Sequence, residues 1–341
     1  MSSDWSGMLP GHPARGRVRN GHERAAGAGG KEDGGGHRTA PTPAGPLPEH
    51  RRPLWRAHPI GTPIADFEPR PAAGPSYRPD SLADGWSTDR FCVRLASVRG
   101  YAHRLRGTPR QDDAAVVHHA PTGSIVLAIA DGVSAAPFSH IGATAACRAA
   151  VAAIVADLDT GIDAVDWQNV VRQTAWQLTE QARTIFKLPE ADPARAEREL
   201  ATTLVTGLIR PTAEGAEAAL IQVGDSSAWV LRGGEYRCLL EAKFSIDDEV
   251  LGSTVTALPR VPQVTPRVGP LVPGDVLLVG TDGFGDPLGD GSGLVGRHLA
   301  DQLGRPQPPL EFAYHLDFSR ETFDDDRTLL AVWTAGPEAK Q

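Results

Sequence analysis

The sequence predicts an α+β protein in which sheets pack on one another and helices cover them. Three observations predict it. Apolar runs of strand length come in groups and do not alternate one-for-one with helices, which argues against a doubly wound parallel sheet. Two long helical segments stand side by side between two strand groups. The hydrophobic content of 40% supplies material for a sizeable core.

Taken in order, residues 1–60 are rich in Gly, Pro, Arg, Ala and His. Such a composition buries too little apolar area to offset the entropy of ordering, so this part reads as a disordered tail. Residues 61–88 read as an extended Pro-rich strap, with Ile64, Phe67, Tyr77 and Trp86 free to lie on the domain surface. The folded domain is expected over 89–335, with 336–341 as a short tail. Within it FCVRLASVR, AAVVHH and SIVLAIA read as strands, the last two joined by a turn at APTG. HIGATAACRAAVAAIVADL is a helix by composition, and WQNVVRQTAWQLTEQARTIF carries apolar residues at helical spacing. Strands return as TTLVTGLI, EAALIQV, SAWVLRG and YRCLL. The stretch 241–270 is poor in signal. DVLLVG, helices around GLVGRHLADQL and LEFAYHLDF, and a closing strand RTLLAVWT complete the order.

Bulk properties exclude several function classes. The net charge of −8 argues against a general nucleic-acid binder. Residues 1–60 carry nine Lys/Arg against five Asp/Glu, so the remainder is more acidic still, at −12. Cys92, Cys147 and Cys238 are far apart and odd in number, which fits a reducing cytoplasm and no disulfide framework or thiolate zinc site. No uninterrupted apolar run of about 18 residues is present, so no membrane insertion is expected. The first residues lack the apolar segment of a secretory signal. A G-x-x-x-x-G-K-[ST] loop is absent, against a nucleotide-dependent phosphotransferase.

The chemistry-bearing pattern is acidic. The strand SIVLAIA stops at Asp131-Gly132, and VLLVGT stops at Asp282-Gly283. Asp225 sits in a tight turn between two strands. Asp112 and Asp113 precede one strand, and Asp324, Asp325 and Asp326 precede the last. Gathering several carboxylates is costly through desolvation and repulsion, and a cation is the natural remedy. Oxygen donors without His or Cys select hard ions, Mg²⁺ or Mn²⁺. Any single Asp-Gly is usually a plain turn. It is their joint occurrence at strand ends that points to metal.

The order GTPRQDDAAVV, VLAIADGVSAAPFSHIGATAA, ATTLVTGLI, LIQVGDSSAWVLRGG, VLLVGTDGFGD, DDDRTLLAVW resembles the metal-dependent protein phosphatases of type 2C, in their compact bacterial branch. The likeness spans roughly residues 90–335. It implies a four-layer αββα sandwich of two stacked, mainly antiparallel sheets flanked by helices. It implies a serine/threonine protein phosphatase holding two Mn²⁺ or Mg²⁺ ions, with a weaker third. Phosphomonoester hydrolysis would proceed by direct attack of a water activated between the two ions. Asp131 would bridge the ions, with Gly132 giving its carbonyl. Asp282 and Asp325 would hold the first ion, Asp112 would lie near the second, and Asp225 would serve the third. Asp113 competes with Asp112, and Asp324 and Asp326 compete with Asp325. A phosphate-gripping arginine is expected among Arg104, Arg106 and Arg110, and Arg106 is favoured. His103 reads as a hydrogen-bonded surface residue.

This chain departs from the family pattern at Arg110, where asparagine is usual, and at Asp326, again in place of asparagine. Val133 stands where many eukaryotic relatives carry a proposed proton-donor histidine. Arg110, together with the bulky loop Val133-Ser134-Ala135-Ala136-Pro137 after Gly132, keeps a second reading open, a catalytically weak or silent member that acts as a binding module. The expected partner is a protein bearing phosphoserine or phosphothreonine.

Overall fold

The computed structural model describes residues 58–65, 81–161, 165–240 and 256–334. The tails expected at 1–60 and 336–341 lie almost wholly outside the described residues, and so does 241–255, the first half of the low-signal stretch.

Two antiparallel sheets form the centre. One has five strands in the order β10-β7-β6-β5-β4. These are β4 (Asp113–His119), β5 (Ser124–Ala130), β6 (Leu204–Pro211), β7 (Ala216–Val223) and β10 (Arg267–Leu271). The other has six strands in the order β2-β3-β13-β11-β8-β9. They are β2 (Ser81–Ser87), β3 (Phe91–Val98), β8 (Ser227–Arg232), β9 (Glu235–Leu240), β11 (Val276–Gly280) and β13 (Arg327–Thr334). A two-residue pair, β1 (His58–Pro59) with β12 (Phe318–Ser319), runs parallel beside them.

Side chains alternate across a strand, so a strand apolar at every position must be covered on both faces. β5 shows this directly. Ile125, Leu127 and Ile129 point into the core between the sheets, with Val93 and Leu95 of β3 and Leu330 and Val332 of β13. Val126, Ala128 and Ala130 point the other way, under α2 (Ser139–Asp159) and α3 (Trp167–Ile185). On the far side Leu329, Ala331 and Trp333 of β13 meet α5 (Asp282–Leu288), α6 (Leu294–Leu303) and α7 (Pro309–Leu316). The result is the four-layer αββα sandwich expected. Fully burying each large aliphatic side chain contributes about 1.5–3 kcal/mol. By length and composition alone α2 could cross a bilayer. Here its small residues pack on β5, β6 and α3, which makes it a core helix.

Several elements differ from the sequence reading. Ser81–Ser87 is not part of a surface strap but the edge strand β2, paired along β3 from Ser81↔Val98 to Ser87↔Cys92. It reads poorly because an edge strand is solvated on one side. The basic stretch after β3 is a short helix, α1 (Tyr101–Arg106), closed by Gly107 at φ 73°. Asp192 caps α4 (Pro193–Leu200), accepting from Arg195 N, with Pro193 at its start. The three cysteines are free thiols.

Candidate metal centre

The sheet registers carry the acidic motifs to one end of the sandwich. Asp113 pairs with Ala130, which sets Asp112 beside Asp131. Gly280 pairs with Ser227 on one side and Leu329 on the other, which sets Asp282 between the Asp225 turn and the start of β13. Stretches separated by most of the domain thus meet within one cluster.

Hydroxyls and amides orient the acids. Thr203 N and Thr202 Oγ1 donate to the Asp131 carbonyl at 2.7 and 2.8 Å. Asp131 N donates to Thr203 Oγ1, which lies 3.0 Å from Ser226 Oγ and so ties the Asp225 turn to the end of β5. Asp112 Oδ2 accepts from Thr281 Oγ1 and Thr328 Oγ1, each at 2.8 Å. Both glycines after the motif aspartates are set by close approach. A Cβ on Gly132 would stand 2.7 Å from Ser139 Cβ, and one on Gly283 would stand 1.9 Å from the Asp326 carbonyl oxygen. Asp282 does not end on a simple turn. It is the first residue of α5, and Thr281 at the N-cap position directs its hydroxyl to Asp112 and not to the helix end.

Electrostatics confirm the crowding of charge. Burial, then the charge of Asp326, holds Asp112 well above the usual carboxylate range despite its two threonine donors. Burial, then the charges of Asp112 and Asp282, does the same to Asp131. Burial pushes Asp282 up to about 6, with the charges of Asp225 and Asp325 adding to it. Its Oδ1 is buried without a hydrogen-bond partner. Asp325 is raised too, by lost hydration and then by Asp326, although the residue lies at the exposed rim.

The competing acids part company. Asp113 turns its Oδ2 to Thr144 Oγ1 on α2, and its Oδ1 lies 3.9 Å from Arg110 Nη2. Asp326 is a clamp: Oδ1 accepts from Gly100 N and Oδ2 from Gln111 N, both at 2.6 Å. Asp324 is exposed. The oxygen-only picture needs one correction. His103 is not at the surface but 7% exposed, with Nδ1 2.9 Å from Asp326 Oδ2. Burial would lower its pKa, but the Asp326 bond and the charges of Asp326, Asp325 and Asp112 raise it. His103, Asp325 and Asp326 each present a ligand atom within 4.8 Å of the others.

The arginines also divide. Arg104 is buried and paired with Asp317, Nη1 to Oδ1 at 2.9 Å and Nη2 to Oδ2 at 3.2 Å. Arg110 is buried and donates to Ser97 Oγ. Arg106 is exposed in the last turn of α1. A residue that sequence reasoning missed is Arg327. Fully buried over the Phe318 ring at 4.0 Å, it donates to the carbonyls of Gly283, Phe318 and Phe323. It thereby joins the start of α5 to the start of β13. Nothing in its local sequence signals this, because its partners are distant carbonyls. Thr281 stands beside Asp282 in the sequence, but Thr202 and Thr203 lie far from the Asp131 they hold.

Two stacked antiparallel sheets between helical layers carry clustered carboxylates at their strand ends. The family model described as Protein phosphatase 2C matches residues 99–309, and the chain belongs to that family. No curated protein matches it in sequence. Among solved structures it is similar to RsbX in complex with magnesium, at 10% identity and a TM-score of 0.47, covering 74% of this chain and 100% of that one. It is similar to the catalytic domain of the serine threonine protein phosphatase PstP in complex with two manganese ions, at 19% identity and a TM-score of 0.46, covering 72% and 99%. It is also similar to PppA, a regulatory component of T6SS in Pseudomonas aeruginosa, at 18% identity and a TM-score of 0.46, covering 74% and 100%.

Proposed function

We propose that this chain is a serine/threonine protein phosphatase that hydrolyses phosphomonoesters with two bound Mn²⁺ or Mg²⁺ ions. One observation supports this most. The carboxyls of Asp112, Asp131, Asp282 and Asp325 come from distant stretches yet act on one another's ionisation, and Asp282 Oδ1 is left buried without a partner. A protein holds such a group of like charges at a cost unless cations offset it. The donors are mostly oxygen, which fits hard dications.

Asp131 would be the residue best placed to serve both ions, since the charges of Asp112, Asp282 and Asp325 all act on it. The Gly132 carbonyl, Asp112, Asp282 and Asp325 would complete the pair of sites, and Asp225 would serve a weaker third ion. When bound, the ions lower the pKa of a shared water toward neutrality and offset phosphoryl charge. The chain's own residues supply order. Thr202 and Thr203 fix the Asp131 main chain, and Thr281 and Thr328 aim Asp112. Arg106, free of the ion pair that occupies Arg104, is the candidate grip on phosphate oxygens. The substrate is a phosphoserine or phosphothreonine protein, and the thiols suit a cytoplasmic setting.

Hydrolysis of p-nitrophenyl phosphate and of a phosphothreonine peptide, with and without Mn²⁺, tests the proposal. Turnover that survives EDTA undiminished would reject it. A second reading is a weak or silent phosphatase acting as a binding module. Arg110 keeps it open, because it stands buried beside the acidic motif where the family carries asparagine. Mn²⁺ binding by titration with no turnover on either substrate would support that reading.

A further inference from the structure

Away from the acidic cluster, three imidazoles meet where the segment 58–65 joins the α6–α7 layer. His298 lies within α6 and His315 in the last turn of α7, and His298 Nε2 is 3.2 Å from His315 Nδ1. The His58 ring stacks on His298, with centroids 4.9 Å apart and planes 25° apart. Tyr314 flanks His58 at 6.1 Å. All three histidines are partly accessible, so an ion can reach them.

The spacing is informative. Two ligands on a tetrahedral ion, each about 2.0–2.1 Å from it, lie about 3.3–3.4 Å apart. The His298–His315 separation is close to that, so an ion can enter with little movement of either helix. Both rings are also in the form that binds metal. Burial, then the charges of His315 and His58, lowers the pKa of His298. Burial lowers that of His315, with His58 adding and Glu311 opposing. Neutral imidazole at pH 7 is the ligating species. Asp301 and Glu311 are close enough for their charges to be felt, and they would help offset a dication. Imidazole donors suit zinc, copper or nickel far better than Mg²⁺. This chemistry is therefore distinct from that of the carboxylate cluster.

We propose that His58, His298 and His315 form a site for a borderline divalent ion, Zn²⁺ in the first instance, which fastens the segment 58–65 to α6 and α7. The ion sits between His298 Nε2 and His315 Nδ1. The ring that donates its N–H in the metal-free pair shifts that proton to its other nitrogen, so no proton is released. His58 turns out of its stack to become the third ligand, and water fills the fourth position. The gain for the fold is local. β1 is only two residues long and is held by parallel pairing to β12 and by Ile60 N donating to Ser319 O. The segment is also tied by Ile64 N to Ser319 Oγ, by Glu321 N to Thr62 O and by the buried Ile60 side chain, and a metal link would reinforce these ties.

Titration calorimetry of the metal-free full chain with Zn²⁺, in excess Mg²⁺, tests this. The wild type should bind one more zinc equivalent than His298→Ala/His315→Ala. Asp131→Asn/Asp282→Asn should keep that equivalent. His58→Ala should weaken it by at least about tenfold, as loss of a ligand costs no less than loss of an outer-shell partner. Equal zinc stoichiometry and affinity in the wild type and the double histidine variant overturns the proposal. If that variant does not fold, zinc K-edge absorption of the wild type decides. Scattering from two or more imidazole rings supports the site, and a shell with one imidazole or none overturns it. Neither measurement uses phosphatase activity, so the outcome is independent of the functional reading above.

Discussion

Replacing Asp282 by asparagine should stabilise the metal-free protein at neutral pH while destroying its response to metal. The carboxyl is raised from 3.8 to about 6. At about 1.36 kcal/mol per pKa unit, holding it ionised in the fold costs about 3 kcal/mol. The sign follows from linkage. Between the unfolded value and about 6 the folded state binds more protons than the unfolded state, so stability falls as pH rises through that window. Well below pH 3.8 the carboxyl is neutral in both states and the penalty is absent. Asp282→Asn removes the ionisable group, so its advantage should grow from near zero at about pH 3 to about 3 kcal/mol at about pH 8. For a domain of this size that corresponds to about 6–12 °C in Tm. Thermal unfolding in EDTA at the two pH values measures it. Saturating Mn²⁺ should reverse the order, because an ion at a thousand times its Kd adds about 4.1 kcal/mol to the wild type only. A variant no more stable than the wild type in EDTA at pH 8 would refute the view that unrelieved repulsion at this carboxyl is what the cation offsets.

Five further outcomes follow from the same geometry. Asp326→Ala strips the acceptor from Gly100 N, Gln111 N and His103, and should cost about 3 kcal/mol in urea unfolding. Asp324→Ala, at an exposed position, should stay within about 0.5 kcal/mol. Gly283→Ala drives a methyl into the Asp326 carbonyl and should destabilise by about 1–3 kcal/mol, read from the same unfolding curves. Arg106→Ala should lower kcat/KM on a phosphopeptide by about 10–100-fold, the loss of one charge-assisted hydrogen bond, with unfolding unchanged. Asp225→Asn should depress turnover at limiting Mn²⁺ while calorimetry still finds the two tighter ions.

The strands were legible because their two-sided burial leaves unbroken apolar runs such as Ile125–Ala130, and the long helices because α3 keeps its apolar residues at helical spacing. β2 was not, since an edge strand with polar Ser81, Asp84 and Ser87 lacks that signature. The short helix α1 was hidden in a basic stretch because its buried partners, Asp317 for Arg104 and Asp326 for His103, lie more than two hundred residues away. The acidic positions were visible as a set. Their division of labour was not.

What the sequence by itself determined is the layered α+β architecture and the identity of the strand-end aspartates, because both depend on short-range patterns of apolar residues and on glycine beside an acid. Only the tertiary structure decided which neighbour of each acidic pair faces the cluster. Asp112 meets Thr281 and Thr328 while Asp113 turns to α2, and Asp326 clamps the loops while Asp325 stays at the rim. Adjacent residues in extended chain point to opposite faces, so a one-residue choice depends on register with distant strands, which no local stretch contains. The same holds for His58, His298 and His315, which become neighbours only once β1 pairs with β12 and α6 packs beside α7.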